Sequence, residues 1–305
     1  VLSMKSELKT QISHLLKIYL LLLVNVNIFS QWVQQNSGTT GDLKSVYFVN
    51  PLTGWVCGVT GPQSTDRIAK TTDGGNTWIK QNAGTFYVLN SIQFINDQTG
   101  WAAGLHGTVV KTTNGGTNWI SVFGTTNWDW DKIQFINSQT GWVAGQQLNG
   151  IYNTTDGGIN WMYLSGSTGF RDICFIDNQK GWAVKLGVNS EVHRTSNGGI
   201  SWFSTPFAAL ALVKVVFMDQ INGWVIGSND SVPQTGKILR TTNSGQNWLV
   251  LSLDTNTYPR GLFFVNHAKG WFTGSSGKIF ITTNGGMDWS RQFTNTSLEL
   301  KDVYF

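Results

Sequence analysis

The segment Thr71-Thr72-Asp73-Gly74-Gly75-Asn76-Thr77-Trp78 occurs six times along this 305-residue chain, with small changes. Successive copies lie 41 to 46 residues apart, and they end at Trp78, Trp119, Trp161, Trp202, Trp248 and Trp289. A second marker, Gly-Trp, alternates with the first and contributes Trp55, Trp101, Trp142, Trp182, Trp224 and Trp271. A fixed period of about 40 residues indicates one supersecondary unit copied along the chain. Residues of the repeat are therefore interpreted first as structural.

One repeat, residues 43–80, has the pattern of four short strands. Residues 43–49 alternate between polar and apolar side chains, as a half-buried strand does. Residues 54–59, 67–72 and 77–80 supply three more strands, and turn-forming residues separate them. Four short antiparallel strands in each of several repeats predict an all-β fold, a β-propeller of four-stranded blades.

The turn between the third and fourth strands follows the Asp-box pattern, Ser/Thr-x-Asp-x-Gly-x-x-Trp. Its aspartate position is occupied by Asp73, Asn114, Asp156, Asn197, Asn243 and Asn284. Asn stands there in four of the six copies. A hydrogen-bond acceptor within a turn tolerates that exchange, whereas a catalytic carboxylate does not, so these residues are predicted to be structural. The tryptophans that end the boxes are predicted to pack between neighbouring blades and to bury roughly 150–250 Å² each.

The two ends of the repeat array indicate how the ring closes. Residues 31–35 match the fourth strand of a repeat, and residues 300–305 match the first. Six complete blades plus a split, truncated seventh are therefore predicted, with Trp32 on a strand of its own. The chain is then expected to be a fragment of a longer protein. The alternative, a closed ring of six blades, would leave Trp32 surplus.

The first 30 residues differ in composition from the rest. Lys5, Lys9 and Lys17 precede the apolar run 18–24, and small or apolar residues follow up to Ser30. This pattern is typical of a secretory signal peptide, with Met4 as the expected start. The alternative is a membrane anchor, but the apolar run is short for a span. The expected division is a signal peptide at 1–30 and a C-terminally truncated propeller at 31–305, secreted or extracytoplasmic and without a stable membrane anchor after cleavage.

Net charge gives little support for a nucleic-acid partner. Without the three lysines and one glutamate of the first 30 residues, the chain has 18 basic and 16 acidic side chains, too small an excess to predict nucleic-acid binding. The two cysteines, Cys57 and Cys174, fall three repeats apart. Because a disulfide needs Cα atoms within about 7 Å, both are expected to be unpaired, buried thiols.

The sequence offers little for catalysis. Beyond Glu7, glutamate occurs only at Glu191 and Glu299, and the four histidines lack metal-ligand spacing. Gly-Gly pairs lie in hairpin turns and not in phosphate-binding loops. No catalytic residue, metal or cofactor is predicted. The alternative is a glycan-active hydrolase of the Asp-box propeller type, which paired carboxylates about 5–10 Å apart in a cleft would favour.

With Asp-boxes and Gly-Trp strands in this phase, residues 31–305 resemble the photosystem II stability/assembly factor family of plastids and cyanobacteria. The resemblance implies a seven-bladed, non-enzymatic propeller that helps to insert a reaction-centre subunit. Asp-boxes also occur in sialidases, in certain glucanases and in sortilin-type receptors.

A binding face is expected where the loops between blades and the loops between second and third strands share one side of the ring, because loops vary while the scaffold holds. The inter-blade loops contain the aromatic residues Phe86, Tyr87, Trp128, Trp130, Phe170 and Tyr258. Three or four residues before the phenylalanine that ends each first strand, six of seven positions are basic, namely Lys44, Lys132, Arg171, Lys214, Arg260 and Lys301. These side chains are predicted to ring the channel mouth and to bind a protein or an anionic glycan; the alternative is that they are solvated strand starts.

Overall fold

The structure is a computed structural model that describes residues 32–58, 64–124, 128–145, 150–164, 169–185, 187, 189–229, 235–255 and 257–305. These residues form six antiparallel sheets of four consecutive strands each. The predicted all-β propeller of four-stranded blades is confirmed. The predicted signal peptide at 1–30 lies outside the described residues. The sheets and every contact discussed below belong to the unit Gln34–Phe305.

The first three sheets comprise β1 Leu43–Phe48, β2 Gly54–Gly58, β3 Ile68–Thr71 and β4 Ile79–Gln81; β5 Leu89–Phe94, β6 Gly100–Gly104, β7 Val109–Thr112 and β8 Ile120–Phe123; and β9 Lys132–Phe135, β10 Gly141–Gly145, β11 Gly150–Thr154 and β12 Met162–Leu164. The last three comprise β13 Phe170–Phe175, β14 Gly181–Lys185, β15 Asn189–Thr195 and β16 Phe203–Ala208; β17 Leu210–Phe217, β18 Gly223–Asn229, β19 Thr235–Thr241 and β20 Leu249–Thr255; and β21 Pro259–Phe264, β22 Gly270–Gly274, β23 Ile279–Thr282 and β24 Ser290–Gln292. One 3₁₀ turn, Leu105–Gly107, follows β6.

Each Asp-box residue holds its own turn. The Gly75 N–H donates to Thr71 Oγ1 at 2.8 Å, and the Thr77 N–H donates to Asp73 Oδ1 at 2.9 Å. In the second box, the Asn118 N–H makes the same bond to Asn114 Oδ1 at 2.9 Å. An amide oxygen thus replaces the carboxylate oxygen without loss of the turn, which accounts for the mixture of Asp and Asn at this position.

Neighbouring sheets are joined by the Gly-Trp tryptophans. The Trp55 indole stacks on Phe94 of the next sheet with ring centroids 3.5 Å apart, and its Nε1–H donates to the Gly115 carbonyl at 3.3 Å. Four further sheet pairs repeat both contacts, through Trp101, Trp142, Trp182 and Trp224.

The Asp-box tryptophans do less of this inter-blade packing than predicted. Each meets the phenylalanine of its own sheet edge-on, as Trp78 meets Phe48 at 6.2 Å between ring centroids. Trp119 is buried, but the other five are half-buried, at Trp78, Trp161, Trp202, Trp248 and Trp289. Two of them do contact the preceding sheet, as predicted: the Trp119 Nε1–H donates to Gln81 Oε1 at 3.4 Å, and Trp161 lies 5.9 Å from Phe123 between ring centroids. The face-to-face stacking between sheets is nevertheless made by the Gly-Trp rings, because the second strand is central in its sheet and the fourth lies at the edge.

The two terminal segments form no strand, so the predicted split seventh blade is not confirmed. Residues 32–42 and 293–305 lie outside any sheet, Trp32 included. Their contacts nevertheless follow the repeat. Phe305 stacks on Trp271 with centroids 4.0 Å apart, and Tyr304 packs between Phe263 and Tyr47 at 4.6 Å from each. The last segment thus lies between β21 and β1.

Both cysteines are unpaired. Cys57 is buried as expected, but Cys174 is partly exposed, so the expectation that both residues are buried is wrong for Cys174. Cys174 Sγ accepts the Phe217 N–H at 3.3 Å, in the place where the Gln134 side chain accepts the Phe175 N–H at 2.7 Å. Burial raises the pKa of the Cys174 thiol to about 11, so the thiol is protonated at neutral pH. Among the described residues, no helix is both long and apolar enough to cross a membrane.

Candidate functional site

A cavity of about 340 Å³ lies where the first strands of the sheets converge. All six members of the predicted basic ring line it: Lys44, Lys132, Arg171, Lys214, Arg260 and Lys301. They come from β1, β9, β13, β17 and β21 and from the terminal segment 300–305. The structure thus brings together side chains that are up to 257 positions apart in the sequence.

β-Bulges explain why residues at two consecutive positions both reach the cavity. The pairing of β1 with β2 skips Lys44, and the pairing of β13 with β14 skips Arg171. Comparable register shifts occur in β5, β17 and β21. A bulge lets two residues oppose one partner and re-aims their side chains. Without it, strict alternation would send one of the two residues away from the channel.

Two largely buried carboxylates anchor the cavity wall. Asp172 accepts the Val215 N–H at 2.9 Å and lies 3.8 Å from Lys132 Nζ. Asp302 makes a corresponding set of contacts: it accepts the Val46 N–H at 3.2 Å and pairs with Lys214 Nζ at 2.7 Å. Asp172 on β13 therefore links β9 and β17, and Asp302 links the terminal segment to β1 and β17.

The pKa values of these two carboxyls move in opposite directions. Burial raises the pKa of Asp172, although Lys132 and Lys214 oppose the shift. Burial acts in the same sense on Asp302, but Lys214 and Lys132 outweigh it, so the pKa of Asp302 is lowered. Burial would lower the pKa of Lys214, but Asp302 and Asp172 raise it overall. Lys214 and Asp302 consequently form a charged pair at neutral pH.

The remaining basic side chains differ in how they are paired. Arg260 Nε donates to Glu299 Oε1 at 2.6 Å, and Lys301 Nζ donates to Asp42 Oδ2 at 2.7 Å. Arg171 has no hydrogen bond or ion pair from its guanidinium within the described part of the chain. Burial, and then the charge of Arg260, lower the pKa of Arg171. Arg171 is thus the ring member whose donors are open to a ligand.

The predicted aromatic residues divide into exposed and buried sets. Phe86, Tyr87 and Trp128 are exposed by 64%, 46% and 36%, respectively. Trp130 and Phe170 are 0% and 1% exposed, so the prediction that they contact a partner is wrong. Trp130 packs in the core against Phe123 and Tyr152, and Phe170 packs against Trp202. Tyr258 is half-buried, with the Arg260 guanidinium 5.8 Å from its ring centroid.

Three loops hold the exposed aromatic residues in fixed positions. The loop before β5, which carries Phe86 and Tyr87, is joined to the 3₁₀ turn after β6 because the Leu105 N–H donates to the Val88 carbonyl at 2.9 Å. That turn is joined to the loop before β9, which carries Trp128, because the Gly107 N–H donates to the Trp128 carbonyl. The Tyr87 ring lies 4.4 Å from that of His106 between centroids. We call Phe86, Tyr87, His106 and Trp128 the aromatic platform.

Sequence reasoning did not find every group at the cavity. Asn90, Ser91, Ser45 and Glu299 also line it, besides the acidic residues Asp131, Asp172 and Asp302. Asn90 stands at the one first-strand position that is not basic, and the alignment of first strands could have identified it. Glu299 precedes the last strand-like segment, and no pattern in the sequence marks it.

Comparison with known proteins identifies the family. Residues 24–161 and 162–304 each match the family of the photosynthesis system II assembly factor YCF48. The chain belongs to this family. The resemblance seen in the Asp-boxes and Gly-Trp strands is thereby confirmed. No curated protein is significantly similar to the chain in sequence.

Solved structures show the same fold at low sequence identity. A YCF48 bound to D1 peptide is 21% identical, with a TM-score of 0.65 and 86% of each chain covered. YCF48 from Cyanidioschyzon merolae is 18% identical, with a TM-score of 0.67, and the match covers 88% of this chain and 90% of that one. A GH74 enzyme from Niastella koreensis is 13% identical with a TM-score of 0.66, and only 45% of that chain is covered.

Membership in the YCF48 family confirms the prediction of a non-enzymatic propeller, because the family is one of assembly factors. The carboxylates at the cavity fit this conclusion. Asp172 and Asp302 are engaged by backbone N–H groups and by lysines, so they hold the wall together. In the described residues, no group of three or more His, Cys, Asp or Glu side chains could hold a metal ion.

Proposed function

We propose that this chain is a non-catalytic propeller that binds a carboxylate-bearing segment of a partner protein in the central cavity. The observation that carries the proposal is the convergence of six basic side chains on one cavity of about 340 Å³. Four acidic residues also line it, which leaves the lining with more positive than negative charge. Charges of one sign that face a common cleft reinforce one another and attract an oppositely charged ligand.

Arg171 is the expected centre of this site. Its guanidinium offers several N–H donors in a fixed plane, which suits a carboxylate. Asp172, the residue beside it, is already paired with Lys132. An incoming acidic group therefore meets Arg171 without first breaking an ion pair at that residue. The solved YCF48 that is bound to D1 peptide supports peptide binding on this fold.

The aromatic platform is proposed as the second part of the same site. The loops that carry it are joined to the cavity wall, because the Nδ2–H of Asn90, a cavity residue, donates to the Trp130 carbonyl at 2.9 Å. Exposed aromatic rings on fixed loops offer apolar contact at a low cost in conformational entropy. An apolar residue next to the acidic group of the ligand would lie there.

The central test is a binding measurement with a fluorescent acidic peptide. Arg171→Gln is expected to weaken binding about tenfold or more, because it removes a charge-assisted contact. Lys80→Gln is the matched control, since Lys80 is exposed on β4, away from the cavity. Binding to the wild type should weaken steeply with salt. Equal affinities for the Arg171→Gln and Lys80→Gln variants would contradict the proposal.

The ligand class is tested with matched probes. A peptide with Asp and Glu replaced by Asn and Gln should lose binding, and an acidic oligouronate tests the alternative of an anionic glycan. Tighter binding of the oligouronate than of every acidic peptide would favour the glycan. The double variant Arg171→Glu/Arg260→Glu should abolish binding of either ligand.

We also propose that the terminal segments occupy the places of the outer and inner strands of a seventh blade. The Gln35 side chain packs closely against Gly75 of the first sheet, just as the Gln81 side chain of β4 packs against Gly116 of the second sheet. In both places the glutamine Oε1 would lie only 2.0 Å from a Cβ added to the glycine. Gln35 thus takes the position relative to the first sheet that a fourth-strand residue takes relative to the next sheet. Deleting residues 300–305 should lower the melting temperature and expose the Val46 amide to hydrogen exchange; an unchanged melting temperature would contradict this placement.

Export of the protein is proposed on the pattern of basic and then apolar residues within residues 1–30. Expression of the chain in a bacterial host, followed by fractionation and amino-terminal sequencing, provides the test. A mature protein that begins near Gln31 and lies outside the cytoplasm is expected. Retention in the cytoplasm with residues 1–30 intact would contradict the proposal.

A further inference from the structure

The segment between β24 and residue 300 carries an acidic side chain into the basic cavity. Its backbone is fixed to the turn between β22 and β23: the Gly277 N–H donates to the Leu298 carbonyl at 2.7 Å, and the Leu300 N–H donates to the Gly274 carbonyl at 3.1 Å. Glu299 lies between these two anchors. Its side chain can therefore move while its backbone stays in place.

The Glu299 carboxylate lies against a basic side chain that a second acidic group of a ligand would use. Its Oε1 accepts a hydrogen bond from Arg260 Nε at 2.6 Å. The same carboxylate acts electrostatically on Arg171 and on Lys301. Three of the six basic side chains thus already experience a negative charge that belongs to the chain itself.

Glu299 is held less firmly than Asp172 and Asp302. Asp172 and Asp302 each accept a backbone N–H, whereas Arg260 is the one hydrogen-bond donor to the Glu299 side chain in the described structure. The Glu299 and Arg260 side chains are exposed by 36% and 31%, respectively. A partly exposed ion pair of this kind is weak and exchanges readily with another anion.

We infer that Glu299 is an internal competitor, which pairs with Arg260 in the free protein and is displaced when a second acidic group of a ligand enters the cavity. The inference rests on the proposed function of the cavity. The first carboxylate of a ligand pairs with Arg171, which holds no ion pair among the described residues, and leaves Glu299 in place. A second carboxylate reaches Arg260 only by displacing Glu299, which stays close because its backbone is anchored and therefore repels the ligand. Glu299 thus lowers the affinity for diacidic partners more than the affinity for monoacidic ones.

The test compares Glu299→Gln with Glu191→Gln, using two peptides that differ only in having one or two acidic residues. Glu191 is a suitable control because it pairs with His193 on β15 and does not line the cavity. Glu299→Gln is expected to tighten binding of the diacidic peptide about three- to tenfold, with a smaller gain for the monoacidic peptide. Glu191→Gln should change neither affinity.

The outcomes separate this inference from the proposed function. If both peptides bind the wild type and Glu299→Gln binds them equally well or more weakly, Glu299 does not compete and the inference fails alone. If neither the wild type nor Glu299→Gln binds either peptide, the proposed function fails and the inference fails with it. A tightened affinity without a change in the ratio between the two peptides would overturn the competition of Glu299 with a second acidic group. Melting temperatures of all variants serve as the folding control.

Discussion

The carboxylate of Asp302 accepts a hydrogen bond from the backbone N–H of Val46, 3.2 Å away and 256 positions distant in the sequence. The Asp172 carboxylate and the Val215 N–H make the corresponding contact between β13 and β17 at 2.9 Å. The terminal segment therefore bonds to the first sheet as one blade bonds to the next. Closure of the ring and construction of the basic cavity depend on the same carboxylate, because Asp302 also pairs with Lys214.

Asp302→Asn is expected to lower the free energy of unfolding by about 3 kcal/mol, because it leaves the largely buried Lys214 ammonium without its counter-charge. Urea denaturation of the variant and the wild type measures this change. Asp97→Asn is the matched control, since Asp97 is exposed in a turn away from the cavity. Denaturation midpoints that are equal for the two variants would show that Asp302 does not support closure.

Acid sensitivity should depend on the two boxes that contain aspartate. Hydrogen bonds lower the pKa of both aspartates to about 2. The Thr77 side chain contributes most to the shift of Asp73, and the Asn160 backbone N–H contributes most to the shift of Asp156. A lowered pKa in the folded state stabilises the protein above the unfolded value of 3.8, and this stability is lost as the pH falls towards 2. Asp73→Asn/Asp156→Asn should therefore melt like the wild type at pH 7 but lose less stability between about pH 4 and pH 2.

The reverse substitution provides the control for that experiment. Asn114→Asp introduces a carboxylate into a box where Asn118 N–H already donates to position 114 at 2.9 Å. This variant should lose more stability than the wild type over the same acidic range. Thermal melts at closely spaced pH values measure both effects, and parallel pH profiles for all three proteins would contradict the argument.

The two classes of tryptophan should differ in their contribution to stability. Trp55 is 0% exposed and stacks on the next sheet, so Trp55→Ala is expected to cost about 3–5 kcal/mol. Trp78→Ala should cost clearly less, because Trp78 is half-buried and packs within its own sheet. Trp128→Ala, at an exposed ring, should leave the unfolding free energy nearly unchanged. A larger loss for Trp78→Ala than for Trp55→Ala would reverse the assignment of inter-blade stacking.

The aromatic platform should contribute apolar contact to ligand binding. Phe86→Ala is expected to weaken binding of an acidic peptide that carries an apolar neighbour about three- to tenfold. Because no charge is removed, the dependence of affinity on salt should keep the slope of the wild type. Ile79→Ala is the control, since Ile79 is 69% exposed on β4. A changed salt slope, or an unchanged affinity, would remove the platform from the site.

Much of the fold could be predicted because its determinants are local. Each Asp-box turn is held by bonds within a few residues, such as that of Thr77 to Asp73, so a short segment specifies a hairpin wherever it recurs. Repetition of that segment at a spacing of 41 to 46 residues then predicts the six sheets. The positions of the basic ring could also be read, since each is counted from the phenylalanine that ends a first strand. The sequence by itself thus determined the repeat, its strands and the residues that begin them.

Tertiary structure decided what the site contains. Phe86 and Trp130 occupy equivalent kinds of loop, but Trp130 packs against Phe123 and Tyr152 and is buried, whereas Phe86 is exposed. The bulges beside Lys44 and Arg171 direct both of two consecutive residues into the cavity, which a strict alternation does not predict. The pairing of Glu299 with Arg260 spans 39 positions. Such contacts join residues that are distant in the sequence or depend on local departures from regular pairing, so they are set by the tertiary packing and not by the sequence pattern around either residue.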